Sequence, residues 1–65
     1  MNEEGKMIAE RLRYLDAKIR DARVLSDEVC VDEFTKLQKI AASEAIQYCK
    51  KTATSYWDFL KEVGI

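Results

Sequence analysis

Cys30 and Cys49 are the strongest nucleophiles this sequence offers, and neither has the company that nucleophilic chemistry requires. The chain has no histidine, so the commonest general base and the commonest zinc nitrogen ligand are both missing. A cysteine nucleophile would need another activating partner, and Cys-Cys spacing without histidine gives no zinc pattern. Both thiols are expected on or beside one helix. Nineteen residues at about 1.5 Å each then hold them roughly 28 Å apart, beyond the reach of a disulfide at about 7 Å. They read as small apolar side chains in a reducing compartment. The paired acids Asp32 and Glu33 are neighbours in sequence and diverge on a helix, which suits capping better than acid/base catalysis. No phosphate loop or carboxylate constellation is present. The expectation is a protein that is not an enzyme, with no catalytic residue, cofactor, metal or small-molecule substrate.

The chemistry left to the chain is that of surfaces, and apolar periodicity defines them. Ile8, Leu12, Leu15, Ile19 and Ala22 recur at spacings of 4, 3, 4 and 3, the seam of an α-helix running from about Glu3 to Leu25. Charged residues fill the opposite face, with Asp16 and Arg20 placed to pair at i, i+4. The segment Ser26 to Val31 breaks the seam and reads as a turn, with Ser26 and Asp32 as capping candidates.

Beyond the turn, Phe34, Leu37, Ala41, Ala45, Tyr48, Thr52, Tyr56, Phe59 and Val63 keep one stripe at a mean period near 3.6 residues. This predicts a second helix from about Asp32 to Glu62. The stretch Lys50 to Ser55 is its weak point, because β-branched and hydroxyl residues lower helix propensity there. Ser55 followed by Asp58 resembles a capping box and offers the alternative of a short third helix from about Ser55. The fold class is all-α, a single helical-hairpin domain over residues 1–65. An antiparallel pairing sets Ala22 against Phe34, Ile19 against Leu37, Leu15 against Ala41 and Leu12 against Ala45, large side chains mostly facing small ones.

In that simple pairing everything after Thr54 overhangs the hairpin. The overhang carries Tyr56, Trp57, Phe59, Leu60 and Val63, residue types that dominate association energies. Two uses follow. They fold back over the open mouth of the same hairpin or close the end of a homodimer, or they anchor a different protein. Met7, Tyr14, Ile40, Ala42, Ile46 and Trp57 lie off the main seam and widen the apolar surface, and two hairpins packed face to face would cover it. A core in a chain of 65 residues supplies roughly 3–5 kcal/mol, so oligomerisation is the natural reinforcement. The function expected is a small protein-protein interaction module, an adaptor, inhibitor, regulator or chaperone-like binder, with itself or another protein as partner.

The alternative is nucleic acid. Helix 1 carries Arg11, Arg13, Lys18, Arg20 and Arg23, and a dimeric four-helix bundle would present that basic surface twice. The plasmid copy-control RNA-binding bundle is similar in layout and length, and none of its motifs occurs here. The net charge of -1 and a pI near 5.4 give the whole molecule no electrostatic pull on phosphates. No apolar run approaches the roughly 20 residues of a membrane span, and the acidic first residues are unlike a signal or transit peptide, so a cytoplasmic location is expected.

Overall fold

The structure is a computed structural model describing residues 2–65. It contains three α-helices and, among the described residues, no strand: α1 (Glu3–Val24), α2 (Glu28–Lys51) and α3 (Tyr56–Val63). Helices α1 and α2 pack as a hairpin, and α3 returns to contact both of them.

Each boundary has a local cause. Helix α1 starts where the Asn2 side chain accepts a hydrogen bond from the Gly5 N–H at 2.9 Å, with Glu3 and Glu4 in the first turn favouring the positive end of the helix dipole. The expected end near Leu25 holds. The start of α2 does not: it begins at Glu28, four residues before Asp32. Asp27 is the cap, its carboxylate accepting from the Cys30 N–H at 3.1 Å. Neither Ser26 nor Asp32 plays that part. Val29, Cys30 and Val31 break the apolar seam, yet a helix does not need a seam in a first turn that a side-chain cap already satisfies.

The expected continuous helix to Glu62 is also overturned. Helix α2 stops at Lys51, and the alternative short helix follows it. Thr52 donates its hydroxyl back to the Tyr48 carbonyl at 2.9 Å, and Ala53 takes a left-handed conformation with φ 55°. Apolar period alone could not show this redirection, since the stripe is in phase through the break. The capping box is not formed either: Ser55 stands at the start of α3 and its side chain makes no capping hydrogen bond.

All three helices end in the same way. The Asp27 N–H donates to the Ala22 carbonyl at 2.8 Å, the Thr54 N–H to Cys49 at 2.9 Å and the Ile65 N–H to Leu60 at 3.3 Å, each spanning the five-residue separation of a Schellman turn. The left-handed residue is Ser26 in the first, Ala53 in the second and Gly64 in the third. Only Gly64 is free of Cβ crowding at that φ. A left-handed alanine is strained by about 1–2 kcal/mol, and glycine's greater unfolded freedom offsets roughly half of the relief. Ala53→Gly should therefore raise the thermal midpoint by roughly 2–8 °C in a chain of this size. A lowered midpoint in a calorimetric scan would show that the turn is not held this way in solution.

The core joins Ile8, Ala9, Leu12 and Leu15 of α1 with Ala41, Ala45, Tyr48 and Cys49 of α2 and Phe59 and Val63 of α3. Ala41 and Ala45 are almost wholly enclosed, the large-against-small arrangement that lets two helices approach closely. Ile19 and Ala22 are buried nearer the turn.

Candidate contact surface

The terminal segment does not overhang. Phe59 and Val63 are each only 2% exposed and belong to the core, where the Phe59 ring meets Tyr48 at 5.6 Å between centroids, tilted by 57°. Tyr56 and Leu60 are half-buried against the same core. The end of α3 is fixed by Arg13, which donates to the Val63 carbonyl at 3.3 Å and so places a cation where the helix dipole is negative. Of the five aromatic and aliphatic residues first singled out, Trp57 alone is fully outward, at 73% exposure, its ring beside Tyr56 at 6.3 Å. The contact these residues make in the structure is with their own hairpin.

With α3 laid on one side of the α1/α2 layer, the other side stays open. An open groove of about 1060 Å³ runs there, floored by Ile8 and Tyr48 and bordered by Met7 and Arg11 of α1 and by Ile40, Ser43, Glu44 and Gln47 of α2. Met7 is 63% and Ile40 58% exposed. Tyr14 lies two turns beyond Met7 on the same stripe of α1, and Leu37 one turn before Ile40 on α2, so both join this side, and both are exposed. Two ion pairs cross between the helices at its margin, Arg11 to Glu44 at 2.7 Å and Lys51 to Glu4 at 3.6 Å. Periodicity had placed Leu37 in the seam facing Ile19. Its exposure shows that the seam of α2 is carried by Ala41, Ala45 and Tyr48.

The basic residues of α1 are not gathered on one face. Arg11 is held by Glu44, and Lys18 lies over the Tyr14 ring at 5.5 Å. Arg13 is bound to Val63, and Arg20 pairs with Asp16 at 3.2 Å, as the i, i+4 spacing predicts. At about 100° per residue, Arg11 and Lys18 flank the buried seam on one side while Arg13 and Arg20 flank it on the other. Arg23 borders a second, smaller cavity of about 380 Å³ beside the turn.

Both cysteines lie on α2 as free thiols, Cys49 buried and Cys30 half-buried. Hydrogen bonding to the Asp27 carboxylate, followed by burial, pushes the Cys30 thiol up. Burial alone pushes up Cys49. Each shift moves the group away from the reactive thiolate. Asp27 moves the other way, held below the ordinary carboxylate range by the Cys30 side chain first and by the Cys30 N–H next. That carboxylate is engaged in capping. Among the described residues no cluster of three or more metal-ligating side chains occurs, and no helix is long and apolar enough to cross a membrane.

Fold and surface together define a small three-helix scaffold with one apolar side uncovered. Compared with protein-family models, curated proteins and solved structures, the chain matches none of them.

Proposed function

We propose that this chain is a non-enzymatic protein-binding module whose docking surface is the open side of the α1/α2 layer. The observation that carries the reading is the exposure of Met7, Tyr14, Leu37 and Ile40 together on the side away from α3. Met7 and Ile40 in a groove with charged margins, extended along the helices by exposed Tyr14 and Leu37, have the composition of an interface centre with a polar rim. Binding is stoichiometric: a partner's apolar surface fills the groove, while Arg11, Glu44, Glu4 and Lys51 at the margin set its register. Helix α3 acts as the clamp that holds the layer together, with Trp57 as an outlying contact. Two unpaired thiols fit a reducing, cytoplasmic setting. The nucleic-acid reading has less support, because Arg11 and Lys18 flank the seam of α1 on one side and Arg13 and Arg20 on the other, so no single face gathers them.

Site-specific photocrosslinking tests this. A benzophenone side chain installed at Ile40 should form adducts with protein on illumination, and the same group at Lys61 on α3 should form few. Equal labelling from both positions, or labelling from Lys61 alone, would remove the open side as the docking surface.

A further inference from the structure

We propose that the occupant of the open side is a second copy of this chain, packed face to face and antiparallel about a two-fold axis, which rests on the reading of that side as a protein-docking surface. The argument is the charge pattern along α2. Its first two turns are acidic at Glu28, Asp32 and Glu33, Lys36 and Lys39 follow, and its last turn is basic at Lys50 and Lys51. Asp32 and Lys50 are 18 residues apart, five whole turns of an α-helix, and so are Glu33 and Lys51. Members of each pair therefore project in one direction from opposite ends of the same helix, Glu33 and Lys51 on the Ile40 stripe toward the open side and Asp32 and Lys50 along the outer edge of α2, opposite buried Ala41. A two-fold axis perpendicular to α2 keeps each flank on its own side and reverses the helix, so Asp32 meets the partner's Lys50 and Glu33 the partner's Lys51. Each such contact occurs twice. A parallel arrangement would set acid on acid and base on base.

The level of the axis is fixed twice over. The midpoints of the two charge pairs are Ala41 and Ala42, beside Ile40. The cross-helix ion pairs Arg11–Glu44 and Glu4–Lys51 each have residue numbers summing to 55, which brings Tyr14 of α1 to the same height. Tyr14 and Ile40, both exposed, thus lie at the centre of the proposed contact, with Leu37 next to them. Asp32, Glu33 and Lys50 have no ion-pair partner among the described residues, and Lys51 would share its charge between the partner's Glu33 and Glu4 of its own chain. A whole side of 38 by 18 Å projects to on the order of 700 Å², within the range of about 600–1,000 Å² per partner of standard interfaces, so the contact must use most of that side.

Sedimentation of the full chain from about 1 µM to about 1 mM tests the arrangement, with Asp32→Lys, Lys50→Glu and Ile40→Asp variants whose helicity is checked by circular dichroism. The wild type should rise to about twice its 7.5 kDa mass. Ile40→Asp should weaken association by at least about 100-fold with unchanged helicity. Asp32→Lys and Lys50→Glu should each weaken it by about 10-fold, and an equimolar mixture of the two should recover at least the wild-type affinity. A single-chain mass throughout, a dimer indifferent to Ile40→Asp, or a mixture no better than its components would overturn the proposal. If the wild type is monomeric, the Ile40 photocrosslinker separates the two failures: adducts with a foreign protein keep the docking surface and reject the second copy, while no adducts reject both.

Discussion

Phe59→Ala should abolish the cooperative unfolding of the chain or bring its midpoint close to room temperature. Phe59 is 2% exposed, stacks obliquely on Tyr48, and with Val63 is the main apolar tie between α3 and the other two helices. Truncating a buried phenylalanine in a packed core costs about 3–5 kcal/mol. A domain of 65 residues has roughly that much in total. Urea titration followed by circular dichroism checks it, with Trp57→Ala as the matched comparison. Trp57 is the larger residue and lies two positions earlier on α3, yet its exposure should keep its removal within about 0.5 kcal/mol of neutral. Equal losses from the two substitutions would mean that α3 does not dock through Phe59.

Ala45→Leu should be the other large effect, and its sign runs against hydrophobicity. Ala45 has no exposed surface and lies in the cluster with Leu12, Leu15 and Ala41, where close approach of α1 and α2 leaves no volume for three more carbons. Overpacking of this kind costs about 1–3 kcal/mol, although leucine is the more apolar residue and nearly as good a helix former. The same substitution at Ser43, at the exposed border of the groove, provides the comparison and should be nearly neutral. Stabilisation by Ala45→Leu, read from the same urea titration, would show that the two helices are farther apart than described.

Where sequence and structure agree, the agreement comes from signals that stay within one helix. The seam of Ile8, Leu12, Leu15, Ile19 and Ala22 identified α1 and its buried side directly, and the alanines at 41 and 45 marked the close approach of α2. Two things were not legible. The start of α2 was sought at the resumption of the apolar stripe, whereas a side-chain cap at Asp27 starts a helix wherever the turn before it places the chain. The weak helix formers from Lys50 to Ser55 marked where α2 could stop, but the course of the chain beyond was not legible, because Phe59 and Val63 remain in phase with Ala45 and Tyr48 whether the helix continues or doubles back. The stripe records that they are buried, and only the left-handed turn records against what. The open side was partly legible, since Met7, Tyr14 and Ile40 fall off the seam by simple count. Leu37 keeps a four-residue spacing to Ala41 and so reads as seam, yet at 49% exposure it stands on the flank of α2 between the buried stripe and the open side.

The hydrogen bond from Arg13 to the Val63 carbonyl spans 50 residues. The entropy of closing a loop rises with its length, and contacts near the Leu25–Asp27 turn require almost no search. Assembly therefore zips from that turn toward the open end of the hairpin, and the return of α3 is the last event, possible only once both helices that receive it are in place. During synthesis the same order applies: the side of the hairpin that receives Phe59 and Val63 stays bare until α3 has left the ribosome.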